Sequence, residues 1–340
     1  MFGVNAARTQ VQPSIRLRPP FRTVWNRGLS SMIEYAAVVS DGVAYVTTLN
    51  GTLWALSMDD GSVLWRFDLH TDQQDSSPTI VGNQLVVHSK NGTVYLLDRW
   101  NGREIWHYRI GSEVESTPLI ANGIDYFGSW GGNIYALDLR RHRLRWVYRD
   151  GSKITASAAL VGSTLYIGDY RGHLLALAAA SGRLLWSGSV NGRIYGAAAV
   201  GDGRIFVPSS DGRSLTAFTT AGRRLWTILT GAYVYSAPAL WRGRVFFGSY
   251  NGLFYCVSAR SGSIQWQVQT GGAISGAPVV VDGVAYTGNF AHRIFGVDAE
   301  SGHVLLRFRA GDYVPVSGNG GRLLLHGYSR IYAVEPSLKR

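Results

Sequence analysis

Residues 77–108 read SPTIVGNQLVVHSKNGTVYLLDRWNGREIWHY. Four short runs rich in apolar and β-branched residues stand out: 77–81, 84–88, 93–98 and 103–108. Gly82-Asn83, Asn91-Gly92 and Asn101-Gly102 separate them. Brief β-prone runs divided by Gly/Asn turns predict an antiparallel meander of four strands. The last run contains Trp106, and that tryptophan carries the reading outward to the whole chain.

Trp25, Trp65, Trp106, Trp146, Trp186, Trp226 and Trp266 follow one another at intervals of 40 or 41 residues, and the next step of 40 lands on Leu306. A fixed period of this size predicts a repeat architecture. The punctuation repeats as well. Gly51, Gly92, Gly132, Gly172, Gly212 and Gly252 each precede a tryptophan by fourteen residues and mark the turn between the second and third strands. Gly61, Gly102, Gly182, Gly222 and Gly262 precede one by four, with His142 the exception. Such turns need a positive φ, which glycine adopts at little cost. Pro78, Pro118, Pro238 and Pro278 stand at the start of first strands, where proline is tolerated.

A four-stranded unit of about forty residues has the size of a propeller blade. Residues 313–334 supply three strands of a further unit, and 21–25 supply a lone fourth strand carrying Trp25. Joining the two ends closes the ring and removes exposed sheet edges. The expected fold is therefore an all-β, eight-bladed propeller, with seven blades as the other count. The expected boundaries are a lead-in over 1–19, one propeller domain over 20–335 and a tail over 336–340. The ladder tryptophans are read as structural rings packed between blades, because periodic apolar positions usually belong to the core. If fully buried, each is expected to cost about 3–5 kcal/mol on truncation to alanine.

The 340 residues include 42 glycines and carry a net charge of +11, with only Lys90, Lys153 and Lys339 as lysines. The single cysteine, Cys256, excludes an intrachain disulfide and a cysteine-based metal site. No apolar run is long enough to span a membrane. Nucleophile–base pairs, metal-ligand spacings and phosphate loops do not stand out.

The string Ala-Leu-x-x-x-x-Gly-x-x-x-Trp, seen from Ala55-Leu56 to Trp65 and from Ala176-Leu177 to Trp186, resembles the pyrroloquinoline-quinone-type (PQQ-like) propeller repeat. Ala136-Leu137 to Trp146 and Leu97-Asp98 to Trp106 keep most of it. The resemblance covers roughly residues 20–335. It implies one of two branches. Quinoprotein dehydrogenases hold the quinone and calcium over the channel. They are longer and carry an adjacent cysteine pair, for which this chain has no counterpart. The BamB-like branch is non-catalytic and fits the length and blade number better, although its lipobox cysteine has no counterpart here. That resemblance implies a place outside the cytoplasm, in the periplasm or at the cell surface. It also makes the chain, with its lead-in Met1 to Thr9, an expected domain of a longer exported protein.

In a propeller the loop entering each first strand shares a face with the turn between strands two and three. Aligning residues 31 before each ladder position, with a shorter spacing for the last, gives Glu34, Asp75, Glu115, Thr155, Tyr195, Tyr235, Ser275 and Asp312. Four acids thus fall on four adjacent blades, an acidic sector suited to a cation or a basic segment. Such acids also commonly satisfy backbone N–H groups or are simply solvated. A second column on that face reads Leu49, Lys90, Trp130, Tyr170, Ser210, Tyr250 and Phe290, and its aromatics suit a protein or glycan contact or packing against the next blade. The opposite face is rich in arginine, densest over 140–145. It lacks a nucleic-acid module, so a solvated basic face is expected.

The functional expectation is a non-catalytic, monomeric interaction scaffold without a cofactor, binding a protein or peptide at the channel mouth. The alternatives are a PQQ- or calcium-dependent oxidoreductase and a glycan-binding module of the cell envelope.

Overall fold

The computed structural model describes residues 5–312 and 314–337; Tyr313, the start of the lead-in and the end of the tail lie outside them. Eight antiparallel sheets form eight blades. Blade two comprises Thr79–Val81, Gln84–His88, Thr93–Asp98 and Glu104–Arg109, the four runs expected from residues 77–108. Blade eight closes the ring as anticipated. Phe21–Gly28 pairs antiparallel with Arg330–Pro336, which continues into Leu323–His326 and Val316–Gly318.

The ladder has a local physical basis. The fourth strand of each blade bulges one residue before its tryptophan, and the tryptophan then faces a residue of the third strand. That partner is Ala55 for Trp65, Ala136 for Trp146, Ala176 for Trp186 and Ala217 for Trp226. The alanine of the repeat motif is thus the small residue beside the indole. In blade seven the pairing is Gly296 with Leu306.

Each indole also reaches the next blade. Trp65 Nε1 donates to Arg99 O at 3.0 Å, Trp146 Nε1 to Ala179 O at 2.9 Å and Trp25 Nε1 to Met58 O at 2.9 Å. The glycine four before the following tryptophan lies against the ring. A Cβ on Gly102 would stand 2.6 Å from Trp65, and one on Gly182 would stand 2.6 Å from Trp146. His142, the exception in that column, takes a φ of 54° and stacks on Trp106 at 4.7 Å. Most ladder indoles are half-buried, so the cost expected for a fully buried ring is too high for them.

One turn departs from its expected geometry. Gly212 does not take the positive φ; Arg213 does, at 51°. Glycine is needed at 212 for closeness instead, since a Cβ there would lie 1.4 Å from Asn191 O.

The lead-in is part of the ring's interior. The carbonyls of Ala6, Ala7, Thr9 and Gln10 accept from the N–H groups of Leu160, Val200, Leu240 and Val280, on the first strands of blades four to seven. Val11–Gln12 then pairs parallel with Val279–Val281, and Ile15 and Leu17 enter the core between blades seven and eight. Arg8 is fully buried at φ 57°, with Nε donating to Ala158 O at 2.8 Å and Nη2 to Thr117 O at 3.2 Å. The domain boundary drawn at residue 20 therefore separates segments that pack as one body.

Candidate functional site at the channel mouth

The two residue columns share one face, and backbone bonds tie them together. The N–H of Trp130 donates to Glu113 O at 2.9 Å, Tyr170 to Lys153 O at 2.9 Å and Tyr250 to Tyr233 O at 3.0 Å. Each bond joins the turn between strands two and three to the loop entering the same blade. Inside this rim lies a cavity of about 690 Å³ along the ring's axis, within the usual size range of ligand pockets. Gln10 and Gln12 of the lead-in are among its lining residues, as are Glu34, Glu115, Thr155, Tyr195, Tyr235 and Ser275 from the first column. Tyr250 and Phe290 join from the second.

Glu34, Asp75 and Glu115 come together, around a cation supplied by the chain itself. Lys90 Nζ lies 2.6 Å from Asp75, bonds Glu115 and stands 3.8 Å from Glu113. Lys90, Asp75 and Glu115 are all buried. Burial works against the Lys90 ammonium, but its bonds to Asp75 and Glu115 outweigh it and its pKa is raised. Glu34 has no such direct ion pair. Burial, then the nearby Asp75 and Glu115 charges, push its carboxyl up to about 7 against the pull of Lys90.

Asp312 sits apart from this group. It is buried, its N–H donates to His326 O at 2.8 Å, and its carboxylate lies 3.6 Å from His292. It is not among the residues lining the cavity. The connection from Leu306 is shorter than in the other blades, and it draws Asp312 toward the wall between blades seven and eight.

The aromatic residues of both columns form a connected arc. Tyr170 and Tyr195 have centroids 6.1 Å apart, Tyr195 and Tyr235 5.5 Å, Tyr235 and Tyr250 4.8 Å, and Tyr250 and Phe290 5.8 Å. At the acidic end Trp130 carries two ammonium groups, Lys153 at 2.9 Å and Lys90 at 4.3 Å from its centroid. Lys153 also lies 4.9 Å from the Tyr170 centroid. Burial lowers the Lys153 pKa.

Sequence reasoning missed Lys153, Tyr233 and Gln10. Lys153 and Tyr233 each stand two residues before a member of the first column, so that register held a signal for them. Gln10 had none, because the lead-in stands outside the repeat.

The other polar features are structural. His88 is buried between Ser116 O, 2.6 Å away, and Asp125, 2.7 Å away. On the arginine-rich face, Arg99 pairs with Asp41 at 2.6 Å and Arg141 with Asp138 at 3.1 Å. Among the described residues no group of three His, Cys, Asp or Glu is arranged for a metal, and Cys256 is buried and alone. No described helix is long and apolar enough to cross a membrane.

The sequence family described as "Outer membrane protein assembly factor BamB" matches the chain over residues 22–159, 131–240 and 222–338. The outer membrane protein assembly factor BamB of Yersinia pestis is 29% identical over 120 residues, covering 31% of this chain and 30% of that protein. That of Moranella endobia is 34% identical over 104 residues, covering 26% and 27%. The matched segments thus span less than a third of the length of these curated relatives. BamB from Moraxella catarrhalis superposes with a TM-score of 0.79 at 17% identity, covering 95% of this chain and 99% of that one. The quinohemoprotein alcohol dehydrogenase of Comamonas testosteroni gives 0.85 at 13% identity, covering 99% and 80%. The computationally designed Ika8 protein gives 0.80 at 17%, covering 93% and 100%. At such identities the structural likeness concerns the fold alone.

Proposed function

The chain belongs to the family described as outer membrane protein assembly factor BamB, and from that membership we propose that it is a non-catalytic scaffold of the bacterial envelope, outside the cytoplasm, whose channel-mouth face docks a protein partner. The observation that carries this reading is the aromatic arc. Tyr233 and Phe290 are 37% and 46% exposed, and they flank half-buried Tyr235 and Tyr250. Clustered aromatics of this kind dominate protein–protein binding energy. The curated relatives are named as assembly factors and not as enzymes.

The test is co-purification of the tagged full chain from the native envelope. Tyr250→Glu and Phe290→Glu are expected to lose a stoichiometric partner that Glu300→Lys, on the opposite face, retains. Retention of the same partner by both mouth variants would sink the proposal. Titration with PQQ and calcium tests the dehydrogenase alternative. Stoichiometric binding with dye-linked alcohol oxidation would favour it.

A further inference from the structure

We propose that the mouth cavity is a receptor for one basic side chain, a lysine or arginine presented by the partner polypeptide. This rests on the docking reading above and names the chemistry of the contact. Four observations carry it.

The first is a charge deficit. Glu34, Asp75 and Glu115 lie within one neighbourhood, where Lys90 is the ammonium that pairs directly with them and Lys153, beside it over Trp130, acts on Glu115 from farther off. Lys90 bonds two of the three, which leaves Glu34 on the cavity wall without an ion pair of its own. The second is the wall itself. Tyr195, Tyr235 and Tyr250 line the same cavity, and ring faces beside a carboxylate attract cations. The third is the chain's own use of this arc, since Lys153 and Lys90 already stand over Trp130. Among the described residues, no lysine or arginine lies over Tyr195, Tyr235 or Tyr250. The fourth is unmet hydrogen bonding. Glu115 is 8% exposed, its Oε2 has no partner, and it lines the cavity, so it can accept from an ammonium or guanidinium.

The carboxylates are not arranged as a metal site, so an organic cation fits better than a metal ion. The cavity, at about 690 Å³, admits a long basic side chain together with the loop that presents it. Arrival of a cation would favour the ionised form of Glu34 and release its proton near neutral pH. The titratable and charged groups facing Glu34 are Asp75, Glu115 and Lys90, with the Tyr35 and Tyr195 phenols beyond them.

The experiment is calorimetric titration of the purified full chain with acetyl-Gly-Gly-Lys-Gly-Gly-amide. The arginine version, the norleucine version and cadaverine are run alongside. The lysine or arginine peptide is expected to bind at least about ten-fold more tightly than the norleucine peptide. At pH 7, titrations in buffers of different ionisation enthalpy should show release of about half a proton per peptide bound. Glu34→Gln should abolish that release and weaken binding. Tyr235→Phe should keep binding and Tyr235→Leu should lose it, each checked for an unchanged melting temperature. Equal binding of the lysine and norleucine peptides, or no saturable binding below about 10 mM, would overturn the assignment. Cadaverine binding as tightly as the lysine peptide would overturn the polypeptide source. If the peptides fail while the partner still co-purifies through Tyr250 and Phe290, this inference falls alone and the docking reading stands.

Discussion

Trp65 and Arg99 meet across a blade seam, the indole Nε1 of one donating to the backbone carbonyl of the other at 3.0 Å. The same tie recurs around the ring, from Trp25 to Met58 and from Trp266 to Ala299. The tryptophan ladder is thus a set of rivets between successive blades. Because the Trp65 ring is half-buried, Trp65→Ala should cost about 2–3 kcal/mol, below the range for a fully buried aromatic. Trp65→Phe keeps much of the contact and loses the hydrogen bond, costing about 1 kcal/mol. Chemical denaturation reads both, and a Trp65→Phe variant as stable as the wild type would contradict the seam bond.

The seam glycine and its one replacement predict opposite outcomes for similar changes. Gly102 has a φ of 73° and lies under Trp65, so Gly102→Ala should destabilise by more than about 1 kcal/mol. His142 stacks on Trp106 with its ring 9° from parallel, and His142→Gly should cost about 0.5–1.5 kcal/mol through the lost stacking. A stabilised His142→Gly variant would show that relief of the 54° φ outweighs the stacking.

Arg8 ties the lead-in to blades three and four through Thr117 O and Ala158 O. Burial lowers its pKa to about 9, against the pull of Asp125, so it remains charged at neutral pH. Arg8→Ala leaves buried carbonyls without their donor and should cost at least about 2 kcal/mol. Hydrogen exchange should then rise at Leu160 and Val200, whose N–H groups bond Ala6 and Ala7. Unchanged exchange there would contradict the role of Arg8 in holding the lead-in against the first strands of blades four and five.

Glu34 sets a pH dependence whose sign follows from its environment. Its carboxyl titrates near 7 when folded, above the ordinary 4.5, so between these values the folded state binds more protons than the unfolded state. The stabilising effect of the protonated form is present below the unfolded pKa and fades as pH rises through 7. The melting temperature should therefore fall from about pH 5 to pH 8, and Glu34→Gln should flatten that slope. A wild-type slope of the opposite sign would contradict the assignment.

The blades, the closing strand and the shared face of Glu34, Tyr195 and Tyr235 were legible because the forty-residue period fixes the position of each residue in its blade. Three features were not. Lys90 stood in the second column, but its reach to Asp75 and Glu115 depends on side-chain geometry that no spacing encodes. Asp312 fell outside the cavity because a shorter connection breaks the register at the last blade. The lead-in carries no repeat, so nothing in its sequence placed Arg8 inside the ring.

Site-specific photo-cross-linking in the intact envelope tests the central claim most directly. A cross-linking residue replaces Phe290 at the mouth or Glu300 on the opposite face. The account predicts one discrete adduct with an envelope protein from position 290 and none from position 300. An adduct from position 300 alone, or no adduct from 290 while the chain remains folded in the envelope, would contradict it.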